Sequence, residues 1–412
     1  MGRAFPAAIT ALLALKCPEA CAQEAIGQAH RVEDGRRARK EAIDRNLYNL
    51  KAGPVLMRFE TSMAFEVNDN PHLLDDPGRV DFAFQPQLDI ATLWALDPYN
   101  ALTFNLGLGY RKYVHNTDLD HLIIAPDSEL SFDVRTRDVT INFHERVAHV
   151  QDPVGDPTVS GTGDFAGIEN TVGVRADWDL NQLTLSAGYD HFNFFSTGSP
   201  LSDVQERSSE FFYASAELEV QPAITTGLEL GGGLTDYCQE IFSDSSQFSI
   251  GPFVALQLTR ELRVRVSGGY LRYDFDQNGT TLAPGSVSDF YGEIAAEHEL
   301  SQYMNHRLAV GRGAGAGAAS ELVTLWYLRY ENNWSLSQYA TLRSALFYEN
   351  GEEQGGFVDE KLWRVGASFG ISVPLTRKLT GTAGYQVLYK DSDQTARDYL
   401  QNMATLEFRY VF

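Results

Sequence analysis

Apolar and polar residues alternate along most of the chain from residue 53 to its end. Between residues 80 and 96 the even positions are largely apolar, whereas Asp81, Gln85 and Asp89 occupy odd positions. A period of two predicts a β-strand with one apolar and one polar face. The pattern continues to the last residue, because the even positions of 400–412 are mostly apolar and end in aromatic side chains.

Two lengths of connection alternate between these segments. Short turns are predicted near residues 97–100, 136–138, 181–182, 222–223, 259–261, 301–304, 335–338 and 374–377. Longer polar loops are predicted near residues 68–79, 115–121, 151–167, 196–209, 237–246, 276–288, 313–321, 350–360 and 391–398. Strict alternation over this length predicts an all-β transmembrane antiparallel up-and-down barrel of about 18 strands, with short periplasmic turns and longer extracellular loops. A soluble sandwich or propeller has no reason to alternate its connections in this way.

Aromatic residues support a membrane barrel. Trp94, Trp178 and Trp334 lie on the apolar face just before short turns. Tyr110 and Tyr270 lie on the same face just before long loops. Membrane interfaces favour aromatic side chains at both ends of the strands.

The last strand resembles the closing strand of Gram-negative outer-membrane barrels. That resemblance implies that Phe408, Tyr410 and Phe412 form part of the signal that the barrel-assembly machinery reads. We also expect 53–67 to pair with 400–412 and close the barrel, because an unpaired edge would promote aggregation.

The first 52 residues differ from the rest. Residues 1–22 have the pattern of a cleaved signal peptide, with Arg3, an apolar run and a small-x-small site at Ala20–Ala22. Residues 23–52 form a charged segment, predicted as a periplasmic leader containing a short helix, with a plug or a partner-binding arm as the alternative. Residues 53–412 are assigned to the barrel.

Charge differs in part between the two halves of the barrel, since the earlier strands carry mostly acidic and the later strands mostly basic inward residues, with exceptions in both. Residues 53–412 contain 24 Lys or Arg residues against 49 Asp or Glu residues. Acidic residues predicted to face the lumen are Glu60, Asp81, Asp89, Asp127, Glu129 and Asp133. Basic residues predicted to face it are Arg263, Arg265, Arg329, Arg343 and Arg364. Two interpretations remain open: ion pairs that keep the wall soluble, or a field that orients polar solutes.

No motif predicts a cofactor, a resident metal or nucleic-acid binding. Cys238 is the only cysteine after residue 22, which leaves no partner for an intrachain disulfide. The glycine run from Gly311 to Gly317 leaves a strand for a loop, so we interpret it as a strand end rather than a phosphate site. His115 and His121 are interpreted as solvated loop residues. Inward-facing His144 is the strongest hint of catalysis, but no nucleophile is placed beside it, so we expect no enzyme.

The segments 53–70, 99–104 and 109–113 together resemble a group of bacterial outer-membrane β-barrel porins, some encoded near exopolysaccharide genes. The resemblance covers residues 53–412 and implies a location in the cell outer membrane, with no agreed substrate or catalytic residues. A barrel of this size is wide enough for an aqueous path, and acidic residues outnumber basic ones, so we expect a porin-like channel for passive passage of small polar solutes or ions that favours cations. The alternatives are a component of exopolysaccharide export and a structural or adhesive barrel. Expected partners are outer-membrane lipid and lipopolysaccharide, the barrel-assembly machinery and a second copy of the chain.

Overall fold

The computed structural model describes residues 24–44, 48–97, 99–151, 153–357 and 359–412. The predicted signal peptide lies outside these residues. The first half of the chain contains α1 (Glu24–Asp44), β1 (Leu50–Ala52), β2 (Val55–Asn68), β3 (Asp81–Ala95), β4 (Asn100–Tyr113), a 3-10 turn (Thr117–Leu119), β5 (His121–Ile124), β6 (Glu129–Thr136), β7 (Val139–Gln151), β8 (Ala166–Asp179), β9 (Leu183–Ser196), α2 (Pro200–Asp203) and β10 (Arg207–Gln221). The second half contains β11 (Ile224–Tyr237), β12 (Ser245–Gln257), β13 (Leu262–Phe275), β14 (Ser286–Ser301), β15 (Met304–Gly315), β16 (Ser320–Ser337), β17 (Ala340–Gly356), β18 (Lys361–Pro374), β19 (Leu379–Ser392) and β20 (Tyr399–Val411). None of the described helices is both long and apolar enough to cross a membrane.

The strands form a closed antiparallel barrel. Each strand pairs with its neighbours in the chain, and β2 pairs with β20 from Glu60 opposite Val411 to Asn68 opposite Met403. Strands β5 and β6 both pair with β4 and β7, so they are two parts of one interrupted strand. Strand β1 pairs with β2 alone among the described strands and adds nothing to the wall. The wall therefore has the eighteen strands that the sequence predicts, and the predicted closing pair is confirmed.

The alternation of residue types separates two environments. Phe195 and Phe212 on the outer face are 52% and 50% exposed, whereas their inward-facing neighbours Phe194 and Phe211 are buried. Exposed aromatic side chains lie near both ends of the strands, for example Trp94, Trp178 and Trp334 at one end and Tyr110, Tyr270 and Tyr348 at the other. This apolar outer band with aromatic ends is the form that outer-membrane barrels take.

The short turns lie at one end of the barrel and the long loops at the other, as predicted. We call these the short-turn end and the long-loop end. At the short-turn end, Asp97 accepts hydrogen bonds from the backbone N–H groups of Tyr99 (2.7 Å) and Asn100 (2.9 Å). The bond from Tyr99 in particular holds the pKa of Asp97 below its usual range. The turn is thus fixed by a side chain that mimics backbone pairing.

Candidate functional site: the occluded lumen

Helix α1 lies inside the barrel. It has 21 residues, so it is about 31 Å long, close to the thickness of the hydrocarbon layer. Ala25, in its first turn, is buried among the inward-facing rings of Phe192, Phe194 and Phe211. This is where a plug would lie, one of the alternatives to a periplasmic leader considered for residues 23–52.

Glycines on β11 make room for the helix. A Cβ atom added to Gly231 would lie 2.7 Å from Ser249 Oγ of the neighbouring strand β12, 3.1 Å from Ile26 Cγ1 and 3.4 Å from Ala25 Cβ. A Cβ atom on the next residue, outward-facing Gly232, would meet only the Gln247 carbonyl oxygen at 3.8 Å. The helix can therefore approach β11 closely because the inward position lacks a side chain.

Polar contacts follow the helix along the lumen. In order along α1 they join Glu24 to Arg207 (3.9 Å), Gln28 to Arg146 (3.4 Å), Ala29 to Arg175, His30 to Glu229 (3.4 Å) and Arg36 to Asp177. Arg207 opens β10 at the long-loop end, whereas Asp177 lies near the end of β8 at the short-turn end. The N-terminus of α1 therefore points toward the long loops.

One wall arginine binds the helix backbone directly. Arg175 donates from Nη1 to the Ala29 carbonyl oxygen at 2.8 Å and from Nε to Asp177 Oδ1 at 2.9 Å. Asp177 also pairs with Arg36 of the helix. A single wall carboxylate thus joins an arginine of the barrel to an arginine of α1, and such charge-assisted bonds are stronger than neutral ones.

A cavity of about 930 Å³ lies beside the helix. Its lining includes His30, Glu33 and Arg37 of α1 together with wall residues such as Glu217 and Arg263. Both signs of charge face this space, so it suits water and polar solutes rather than an apolar ligand.

The loop after β7 reaches across the long-loop end. Its Val154 carbonyl oxygen accepts a hydrogen bond from Arg364 of β18 at 2.8 Å. Lys390 of β19 donates to Ser160 Oγ at 2.9 Å, and Arg397 donates to the Thr158 carbonyl oxygen at 2.5 Å. These contacts hold residues 153–165 against the opposite wall, so the loop crosses the mouth.

A second loop packs beneath it. Leu73 is fully buried with the inward-facing Phe347, Leu388 and Tyr399, and Val154 packs against the same cluster. The backbone N–H of Gly161 donates to the Leu73 carbonyl oxygen at 2.9 Å. The two loops therefore narrow the mouth as one packed unit.

Comparison with known proteins agrees with this architecture. The family described as "Putative beta-barrel porin 2" matches residues 50–412. The chain belongs to this porin family. No curated protein matches the sequence.

Solved structures show the same fold at low sequence identity. Pseudomonas aeruginosa OpdK, crystallised with vanillate, superimposes with a TM-score of 0.51 at 11% identity, covering 86% of this chain and 99% of that chain. Pseudomonas aeruginosa OpdQ gives a TM-score of 0.51 at 12% identity, covering 88% and 100%. At such identities the similarity shows the barrel fold alone.

In this porin, several predicted lumen acids have close polar partners. Glu60 pairs with Arg58 and with Arg409 (3.4 Å), which joins the first and last wall strands. Asp89 accepts a hydrogen bond from Gln87 at 2.6 Å. Asp133 likewise accepts one from Asn142 at 2.6 Å.

The other three acids occupy different settings. Asp81 is buried and accepts hydrogen bonds from the backbone N–H groups of His115 (3.0 Å) and Asn116 (2.7 Å), so it anchors the loop after β4. Asp127 is exposed in the break between β5 and β6. Glu129 stands opposite Arg146 in the β6–β7 ladder.

The predicted basic residues are also engaged with the wall. Arg265 donates to Glu229 at 2.5 Å and lies 4.0 Å above the Phe253 ring. Arg329 and Arg364 share Glu349, at 3.3 Å and 2.9 Å.

The two remaining predicted basic residues, Arg263 and Arg343, have different surroundings. Arg263 lines the cavity, and Arg343 is half-buried on β17, opposite Gly370. Many wall charges are therefore paired across strands, and sequence patterns give the faces of these residues but not their partners.

The predicted assembly residues lie on the outer face at the short-turn end. The rings of Tyr410 and Phe412 meet edge to face with centroids 5.2 Å apart. The Phe412 N–H donates to the Phe59 carbonyl oxygen at 3.1 Å, and Phe408 is half-buried on the same face.

His144 belongs to a structural network. Its Nδ1 contacts Asn142 Oδ1 and its Nε2 contacts Asp190 Oδ1, both at 3.0 Å. Asp190 also pairs with Arg146 at 3.4 Å. Both ring nitrogens of His144 are occupied by wall side chains. Within the described ranges, no group of three or more His, Cys, Asp or Glu residues is arranged to hold a metal ion.

Proposed function

We propose that the protein is an outer-membrane channel for small polar solutes, and that α1 holds its lumen closed. Barrels of 16 to 18 strands leave an aqueous path unless the lumen is filled. The observation that carries the proposal is the docking of α1 on the inner wall, with side chains of β7, β8, β10 and β11 contacting it. Membership of a porin family supports the same function.

The contacts between α1 and the wall are of a kind that would allow the helix to leave the lumen. Ala25, Ile26 and Val32 are the buried apolar side chains within residues 24–37 of the helix. The remaining contacts are polar, and water and salt can compete for those that border the cavity. The β-ladder from β2 to β20 closes without α1, so the wall does not require the helix for its pairing.

The open path favours cations. Acidic side chains outnumber basic ones in residues 53–412, and fixed charge concentrates counter-ions in a narrow path. Pairing within the wall reduces this effect without reversing the net charge.

Single-channel conductance of two glycine variants tests the proposal. Gly231→Leu places a side chain where α1 lies and should raise the conductance several-fold. Gly232→Leu adds the same side chain to the outer face, one residue away. Its conductance should equal that of the natural chain. Both variants are first checked for the folded barrel by gel mobility without heating. Equal conductance of folded Gly231→Leu and Gly232→Leu would contradict closure by α1.

A further inference from the structure

A row of polar side chains interrupts the apolar outer face. His298, His306, Asn332 and Ser344 stand directly opposite one another across β14, β15, β16 and β17. They face outward, because positions of the same parity on these strands include the exposed Ile294, Leu308 and Leu328. Polar groups facing lipid cost free energy unless they find partners, so the contacts made by this row need to be accounted for.

Apolar rows border it on both sides. Toward the long-loop end lies the row of Ala296, Leu308, Tyr330 and Leu346. Toward the short-turn end lie Met304, Trp334 and Leu342. Trp334 lies at the membrane interface at that end, where tryptophan is favoured. The polar row is the next outward-facing row toward the middle of the bilayer, so it is close enough to the interface for water to reach it.

The two histidines present ring nitrogens to each other. His298 Nδ1 lies 3.0 Å from His306 Nε2, and the ring centroids are 5.1 Å apart. On its far side, His306 Nδ1 lies 3.4 Å from the Tyr330 hydroxyl. Because the histidines are opposed on paired strands, the backbone holds the two rings side by side.

This spacing matches a metal chelate. Imidazole nitrogens bind transition metals at about 2.1 Å, and two nitrogens at that distance are 3.0 Å apart when they subtend about 90°. In the metal-free protein the two facing nitrogens are hydrogen-bonded, so one of them carries a proton. Metal binding replaces this hydrogen bond and requires both facing nitrogens to be unprotonated, which two neutral histidines achieve by a change of tautomer and a rotation of the rings toward the metal. His298 then carries its proton on Nε2 and His306 on Nδ1. The Tyr330 oxygen can accept a hydrogen bond from the His306 Nδ1–H, as the hydrogen-bond partners of metal-ligating histidines commonly do. No net proton is released.

We propose that His298 and His306 form a two-nitrogen site for a divalent transition metal that prefers tetragonal geometry, Cu²⁺ foremost. Water at the membrane interface fills the remaining coordination positions. Angles of about 90° suit Cu²⁺ and Ni²⁺ better than tetrahedral Zn²⁺. The site is independent of the channel function, because both side chains face away from the lumen.

Electron paramagnetic resonance of added Cu²⁺ tests the site on untagged protein in detergent micelles. We expect one bound Cu²⁺ per chain with hyperfine coupling to two nitrogens. His298→Ala and His306→Ala should each weaken this binding by about tenfold or more, because a chelate becomes a single ligand.

The matched control is His191→Ala. His191 also faces outward, but its Nδ1 lies 2.9 Å from Glu210 Oε1. Its replacement should leave the two-nitrogen signal unchanged. Folded His298→Ala and His306→Ala variants that keep the natural signal and affinity would overturn the proposal.

Discussion

Single residues determine how much of the lumen is filled. Glycines at inward positions admit larger neighbours: a Cβ atom on Gly188 would overlap the Tyr213 ring, and one on Gly173 would overlap the Asp190 carboxylate. Gly231 does the same for α1. Gly188 and Gly173 therefore leave room for side chains of neighbouring wall strands, whereas Gly231 leaves room for the helix.

The last residue tests the assembly signal. Phe412→Asp places a charge on the outer face, where its ring now contacts Tyr410. We expect loss of folded protein from the outer membrane, measured by fractionation and by gel mobility without heating. Phe412→Tyr is the matched control and should assemble normally. Natural levels of folded Phe412→Asp would show that the terminal aromatic residue is dispensable.

The amino-acid sequence predicts the position of the wall strands better than that of the helix. The alternation of residues and of turn lengths predicts the wall, because each strand must present one face to lipid. It does not predict the break at residues 125–128, although Pro126 lacks an N–H group and cannot continue a ladder. Nor does it place α1, because a helix with few apolar side chains gives little indication of the surface it contacts.

A cysteine pair tests the position of α1. Gly231→Cys would place its Cβ atom 3.4 Å from that of residue 25, close to the roughly 3.5–4.5 Å of a disulfide. The variant Ala25→Cys/Gly231→Cys, with Cys238→Ser to remove the native thiol, should oxidise readily to one intrachain disulfide. Free thiols are counted by mass after alkylation. The pair Ala25→Cys/Gly232→Cys is the control and should stay reduced, because residue 232 faces lipid. Equal oxidation of the two pairs would place the helix elsewhere.

At the scale of the whole molecule, the helix in the lumen, the narrowed mouth and the net charge are the features expected to govern permeation. The helix fills part of the lumen, and residues 153–165 cross the mouth. The sequence predicts the excess of acid, but the effective charge depends on pairings such as Glu349 with Arg364, which only the fold reveals.

Ion selectivity tests the effect of that charge. Reversal potentials of the Gly231→Leu channel under a KCl gradient should show cation preference at low salt. The preference should fade as the screening length falls from about 10 Å at 0.1 M to about 3 Å at 1 M. Replacing the cavity residues Glu217 and Glu297 with Gln should reduce it. Glu145→Gln, on the outer face, should not. Anion preference at low salt would mean that the lumen arginines dominate the path.

The central claim is that α1 closes a barrel whose wall is complete without it. Its most direct test is the single-channel conductance of the chain lacking residues 24–44, compared with the full chain in the same planar bilayer. We predict a large, steady conductance after deletion and a small or absent conductance for the full chain. A folded deletion variant with the same conductance as the full chain would contradict the claim.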